Sequence, residues 1–486
     1  MFTNKFLCSP HPSPLPACGE GKNLLPRKRG RSGGGHRVFF LMALAFTLSA
    51  ASCAQEDKDA LFSDTEIAII KTLIYQAPAG EASNAYVNTP AAATLGQQFF
   101  WDTQFSGAIL IQGNRTTSPI NYSAGQERRI NCAACHDPNF GWADSATKPN
   151  DVSLGANFTS RNAPTVLNAS FNSYSLWDGS TDSVWSIARP AIEGNPHNFH
   201  RYGVAYIICN ANTAPTGNYF TQHNTVFPGA AGATATATVC GSLAAPSSAN
   251  GYGKTLYEAV GFAANRVHVD RIFANFGKAI GAYEHLLVSK NSAFDQWAEG
   301  NENAMTVSQK RGLKIFIGKG NCIRCHSGPN FSDGSFHNLG VPQVGGYSGS
   351  NDQGRFTGVT KLLDSADNGA FNTSTAFNDS STTNRVSGLS AKTSDVGKFK
   401  TPTLRSVNKT PPYFHNGTFT SLWDVVNFYN FAGNAGSFPG TKDPILTTRR
   451  MTNEEMEDLV NFLKALEGEA LSSTLTSNTA PTIASW

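Results

Sequence analysis

Two stretches of this chain run almost in parallel: NCAACHDPNF at 131–140 and NCIRCHSGPNF at 321–331. Each contains Cys-x-x-Cys-His, the pattern that attaches a c-type haem. Two thiols add to the haem vinyl groups and the adjacent imidazole reaches the iron. Cys132, Cys135 and His136 make the first set; Cys322, Cys325 and His326 make the second. Zinc also accepts Cys-x-x-Cys, but a histidine directly after both pairs favours haem. Two covalently bound haem c groups are therefore expected, with His136 and His326 as proximal iron ligands. A fold that presents two thiols and an imidazole to each of two large flat cofactors is a narrow choice.

The repeat extends beyond the motifs. Leu95 and Phe99 precede the first at helical spacing, and Leu313, Phe316 and Ile317 precede the second. One unit, helix then attachment loop then ligand-bearing loops, is used twice. Between the copies, Val269, Ile272, Phe273, Phe276, Ile280, Tyr283 and Leu287 mark a long amphipathic helix. Near the end, Thr452 and Glu455 form a capping box. Met456, Leu459, Val460, Leu463 and Leu466 then share one face, and Gly468 can end the helix. Charged residues are only 15% of the chain and there are 45 glycines, which predicts long ordered loops. The expected class is mainly α: two cytochrome c-like domains with long loops, each binding one covalent c-type haem. Their bounds are 58–300 and 301–470, followed by a tail at 471–486. Residues 209–251, low in charge and rich in Ala, Thr, Asn and Gly, and 343–397, rich in Ser, Asn, Asp, Gly and Thr, read as insertions. They are either surface loops or the wall of a substrate or partner site.

The first 57 residues read as an export leader. The basic run PRKRGRSGGGHR precedes the apolar VFFLMALAFTLSAAS, too short to span a bilayer comfortably. Cleavage before Cys53 would leave it lipidated; a plain cleaved signal is the other reading. Pro-rich sequence upstream points to a start at or near Met42. Residues 1–52 hold seven basic residues and one acid, so 31 basic and 34 acidic residues remain beyond them, a net of −3. No basic face for nucleic acid is implied. Export places the protein in the periplasm, with membrane contact only through a lipid anchor. Cys209 and Cys240 are the two cysteines outside leader and motifs, and in that oxidising compartment a disulfide between them is expected.

What lies across each iron decides the chemistry. Two strong protein ligands make an electron carrier; an open position admits peroxide. Past the leader only Met305, Met451 and Met456 are available as thioether ligands. The last two sit at the start of the final helix, which argues against Met ligation.

The sequence resembles the bacterial dihaem cytochrome c peroxidase and MauG superfamily from about residue 90 to 467. The resemblance rests on LGQQFFWD, CAACH, SRNAPTVLNASF, LWDGSTDSVW, ANFGKAIGAYE, CIRCHSGPNFSDGSFHNLGVP and FKTPTLRSVNKTPPYFHNGTFTSLWDVVNFY. It implies an N-terminal peroxidatic haem and a second haem flanking a tryptophan and a calcium ion. Trp177 matches that tryptophan, and Asn162, Thr410 and Pro412 match the calcium contacts. Tyr429 falls where the peroxidases place the Met ligand of the second haem and MauG places Tyr. Helical spacing alone makes Tyr429 a core aromatic. Ala156 stands where reductively activated peroxidases carry a distal histidine, which implies a first haem open opposite His136. For the distal acid–base group the resemblance points to Glu193, with His197 and His200 as rivals. Ile187 takes the place of the family's Gln, and its Pro is shifted to Pro190. Lys400 and Arg405 are either haem-propionate partners or ordinary surface residues.

The resemblance implies a haem-dependent oxidoreductase. It would use hydrogen peroxide to form a high-valent dihaem state and oxidise a partner protein at tryptophan, as MauG-like enzymes do. The alternative is peroxide reduction with electrons from a small cytochrome c or cupredoxin. A pure electron carrier is a third reading, and an open coordination site argues against it.

Overall fold

A computed structural model describes residues 61–111, 113–114, 121–144, 152–210, 219–243, 262–343, 351–433 and 437–481. The expected leader, with Met42 and Cys53, lies outside the described residues, as do the last five of the tail. None of the described helices is long and apolar enough to cross a membrane.

Residues Phe62–Trp486 form one unit, mostly helical. Helix α1 (Asp64–Leu73) starts at a Ser63–Glu66 capping box, and α2 (Pro90–Trp101) leads into the first attachment loop. After that loop come α3 (Ala188–Ile192), α4 (Arg201–Asn210), α5 (Tyr219–Val226), α6 (Ala233–Val239) and the long α7 (Phe262–Glu284). Then follow α8 (Ala293–Ala298) and α9 (Val307–Ile317), which leads into the second attachment loop. Helices α10 (Arg355–Leu363), α11 (Leu422–Asn430), α12 (Asn453–Lys464) and the short α13 (Ser473–Thr476) complete the order among the described residues. Among the described residues the strands are two-residue antiparallel pairs, beside a few isolated bridges. Gly113 of β1 (Gly113–Asn114) faces Tyr122 of β2 (Asn121–Tyr122); Phe336 of β3 (Phe336–His337) faces Lys400 of β4 (Phe399–Lys400).

The repeat in the sequence becomes a repeat in packing. Helix α2 lies along α7, and α9 lies along α12. Each crossing is close because the helix before the haem motif carries a glycine there. A Cβ on Gly96 would collide with the Ala279 carbonyl, and one on Gly312 with the Asp458 carbonyl. On α7 the expected face is buried at Val269, Ile272, Phe273, Phe276 and Tyr283, and Leu287 is buried just beyond the helix. The Phe276 ring packs at 4.8 Å from both Phe99 and Phe105. On α12 the capping box forms, and Met456, Leu459, Val460 and Leu463 are buried. The helix stops at Lys464, short of Gly468. The Phe294 amide takes the Ala465 carbonyl at 3.1 Å, and the Gly468 amide donates to Ser406 Oγ at 3.1 Å, which draws the chain off the helix axis.

Both insertions are more structured than a loop reading expects. Around the stretches outside the described residues, 209–251 contains α5 and α6. These supply Tyr219, Val226, Phe227, Ala235 and Val239 to the core of α2 and α7. Cys209 and Cys240 form the expected disulfide, joining α4 to the end of α6 with Cα atoms 5.0 Å apart. Tyr219 Oη donates to Asp102 Oδ2 at 2.7 Å. A disulfide and a buried tyrosine hydrogen bond pin this uncharged segment to the core.

Residues 351–397 run back as a strap over the region after the first haem motif. Arg161 grips Asp352 with two bonds of 2.7 Å, and Arg189 pairs with Asp367. Asn368 Nδ2 donates to the Ser180 carbonyl at 2.9 Å, the Thr373 amide to Asp182 at 2.9 Å, and Lys278 Nζ to Asp379 at 2.6 Å.

Candidate haem sites

Each attachment loop is a single 3₁₀ turn, Cys132–Ala134 and Cys322–Arg324. In both, the histidine amide donates to the first cysteine's carbonyl at 2.9 Å, which sets thiols and imidazole on one side of the turn. Asn131 fixes the first loop to α2: its Oδ1 accepts from the Ala134 amide at 3.0 Å and its Nδ2 donates to the Trp101 carbonyl at 2.8 Å. The turn at or just after the PNF segment then returns a backbone carbonyl to the imidazole. His136 Nδ1 donates to Trp142 O at 3.3 Å and His326 Nδ1 to Phe331 O at 2.9 Å. With Nδ1 carrying the proton, Nε2 carries the lone pair that a metal requires. None of the four motif thiols is in a disulfide. Two thiols and an imidazole at the wall of one cavity are the donor set of a c-type haem, and both loops fit it.

The first cavity, about 600 Å³, is lined by Cys132, Cys135, His136, Ile187, Pro190 and His197. The second, about 200 Å³, is lined by Cys322, Cys325, His326, Tyr429, Met451 and His415. Tyr429 reaches it from α11. Burial, with the Cys322 and Cys325 thiols, pushes its phenol pKa well up, so a nearby cation is needed to favour the anion. Met451 lines the same cavity, contrary to the expectation that its place before the helix cap keeps it away. Met456 is held in the core, where its Sδ accepts from Asn430 Nδ2 at 3.4 Å.

Trp177 stands in both walls. Its Nε1 donates to the Asn162 carbonyl at 2.8 Å, and its own carbonyl accepts from the Lys400 amide at 2.7 Å. Its ring meets the His415 ring edge-on at 6.5 Å, and His415 stacks on Phe399 at 3.7 Å. Burial pushes the His415 pKa down to about 3, so a neutral ring flanks the indole. Asn162 Nδ2 lies 3.0 Å from the Pro412 carbonyl, and Thr410 lines the same cavity. The three residues expected at calcium are thus together. Coordination requires the Asn162 amide to turn its oxygen toward that carbonyl's partner ion, and which amide atom points where is set by the hydrogen-bond network.

Two expectations, for Glu193 and Arg405, need correction. Glu193 lines the first cavity, but its carboxylate is clamped. Arg201 Nε and Nη2 reach its two oxygens at 2.6 and 2.7 Å, and Arg189 Nε lies at 3.2 Å. Burial opposes ionisation; the Arg201 bonds and charge, with His200 and Arg189, outweigh it and hold the pKa at about 2. A carboxylate so held is a poor proton shuttle near neutrality. Ala156, which carries no donor atom, does not line the cavity. It packs with Ile109 and Ile130, and its amide donates to Pro196 O at 2.8 Å. Arg405 is fully buried against Asp295, at 2.8 and 3.0 Å, which leaves it no propionate role.

Of the two rival histidines, His200 sits 3.7 Å from Glu193, within the arginine cluster. His197 lines the cavity, and its Nδ1 donates to Phe105 O at 3.0 Å, which leaves Nε2 as an acceptor. Burial, aided by His136, pushes its pKa down to about 4, so the ring is neutral near pH 7. Glu284 was not anticipated. It lines the first cavity from the end of α7, and burial with the Glu81 charge raises its pKa to about 8. The signal was present: Ile280, Glu284 and Leu287 share a helical face, so the carboxyl had to be buried.

Comparison with known proteins agrees with this geometry. The family model for di-haem cytochrome c peroxidase matches residues 90–303. Cytochrome-c peroxidase IdrP1 of Pseudomonas sp. (strain SCT) is 28% identical over 76% of this chain and 79% of its own length. The methylamine utilization protein MauG of Methylorubrum extorquens is 27% identical over 88% of this chain and 92% of its own. Among solved structures, a MauG-like protein associated with microbial copper homeostasis superposes with a TM-score of 0.54 at 20% identity, covering 84% of this chain and 97% of that one. With two Cys-x-x-Cys-His loops facing two cavities, the chain matches the di-haem cytochrome c peroxidase family model over residues 90–303 and is similar to relatives named cytochrome-c peroxidase and MauG, which are haem-dependent oxidoreductases.

Proposed function

We propose that this is a periplasmic dihaem enzyme that reacts with hydrogen peroxide in the first cavity and oxidises a partner protein, MauG-like, at tryptophan. The observation that carries the reading is Trp177, shared by the walls of both cavities, with Tyr429 in the second. Cys132, Cys135 and His136 would hold one haem, and Cys322, Cys325 and His326 the other, in two cytochrome c-like domains spanning 58–300 and 301–470. Bound there, the haems supply the redox chemistry of peroxide cleavage. His197 Nε2 takes the proton from one peroxide oxygen and returns it to the other, so that water leaves. Trp177, held at its N–H and its carbonyl, carries electrons between the sites. Tyr429, in the wall of the second cavity, would offer the second haem an anionic oxygen donor, which would favour oxidised iron. Asn162, Thr410 and Pro412 would hold Ca²⁺ through oxygen atoms beside Trp177.

Met451 in the second cavity favours the other reading, peroxide reduction fed by a small cytochrome c or cupredoxin. The two separate in one experiment. The haem-loaded protein is given peroxide with and without a reduced small cytochrome, alongside Tyr429→Met. Negligible turnover by the native protein, and a gain on Tyr429→Met, supports partner oxidation. Fast native turnover that the substitution leaves unchanged would favour the electron-fed peroxidase.

A further inference from the structure

Lys400 ends β4 at the place where the two cavities share a wall, and it lines both. Its Nζ donates to Asn172 Oδ1 at 3.1 Å, a neutral acceptor. Among the described residues no carboxylate forms an ion pair with it; Asp333, the charge that acts on it, is committed to His337 at 3.0 Å. Burial pushes the Lys400 pKa down to about 8. The other interior cations at the first cavity differ: Arg161 has Asp178 and Asp352, and Arg189 has Glu193 and Asp367. An ammonium kept inside without an anion is costly, and the cost is removed when a carboxylate arrives. Each haem brings two propionates. An ammonium has three N–H donors; Asn172 takes one, and two remain, one for each cavity.

We propose that Lys400 Nζ is the shared counter-ion of the two haems, paired with one propionate from each cavity and aimed by Asn172. One cation then sits beside both irons, on the residue whose backbone amide holds the Trp177 carbonyl. The proposal rests on two haems being bound, which haem content per chain checks separately. Fewer than two would sink that reading rather than this one.

The test is a spectroelectrochemical titration of native, Lys400→Met and Lys400→Arg proteins, each carrying two haems. Removing a cation beside ferric iron favours the oxidised state, so both midpoint potentials fall in Lys400→Met and return toward native in Lys400→Arg. A merely structural lysine has no reason to move both in one direction. An unmoved potential at either site overturns the proposal. If Lys400→Met does not load haem, a structure of the native haem-loaded protein decides. Nζ within about 3.5 Å of a propionate oxygen of each haem supports the pairing, and a greater distance to either one overturns it.

Discussion

At the scale of single residues, the first cavity separates charge that stabilises from charge that reacts. Glu193, clamped by Arg201, has a pKa near 2 against an ordinary 4.5. A lowered pKa means stability that is present above about pH 4.5 and lost as pH falls through 2; the shift corresponds to about 3 kcal/mol. Glu193→Gln should therefore lower stability at pH 7 by about 3 kcal/mol, because Arg189 and Arg201 lose a buried anion. Urea midpoints should converge with native ones toward pH 2. His197→Gln should instead spare stability and slow the reaction with peroxide by roughly 10²–10⁴-fold, read by stopped-flow absorbance. Near-native reactivity of His197→Gln would return the role to another group, with Glu284 next. In the second cavity, Tyr429→Phe should change the optical and EPR signature of one haem, and Met451→Leu should leave it unchanged. The opposite pattern would make Met451 the ligand.

At the scale of elements, the insertions carry more of the fold than their composition suggests. The Cys209–Cys240 bridge closes a sequence separation of 31 residues. Its removal by Cys209→Ser and Cys240→Ser should cost about 3–4 kcal/mol by loop entropy, measured by thermal or urea unfolding. The strap at 351–397 depends on charged contacts from distant residues. Asp352→Asn leaves Arg161 paired with Asp178 at 2.6 Å but releases the strap's first anchor. Limited proteolysis within 364–390 should speed up roughly tenfold, with haem content unchanged. No pattern within the strap foretold this. Its Ser, Asn, Asp and Thr side chains match loop composition, and the residues that anchor the strap lie about 100–300 positions away in sequence.

At the scale of the whole molecule, the two cavities share a wall that includes Trp177 and Lys400. Trp177→Phe should leave both haems attached and the first site reactive with peroxide. The optical change at the second site should then be slowed or lost, followed by rapid mixing. An unchanged response of the second site would place the electron path elsewhere, with the His415–Phe399 stack adjacent.

The sequence by itself determined the cofactor chemistry, because Cys-x-x-Cys-His is local and its turn is closed by hydrogen bonds within five residues. It also determined the helices whose apolar faces repeat at 3.6 residues, α7 and α12 above all, and through the resemblance it singled out Trp177 and Tyr429. Tertiary structure alone decided the rest. Glu193 looked like an acid–base group until Arg201 and Arg189 were seen around it; Met451 looked remote until α11 and α12 brought it to the cavity. Lys400 had two equal readings until both cavities were found at its side chain. These are questions of which charges and lone pairs meet across long loops. Pairing of that kind leaves no period in the sequence, since its energy depends on distance and burial rather than on order along the chain.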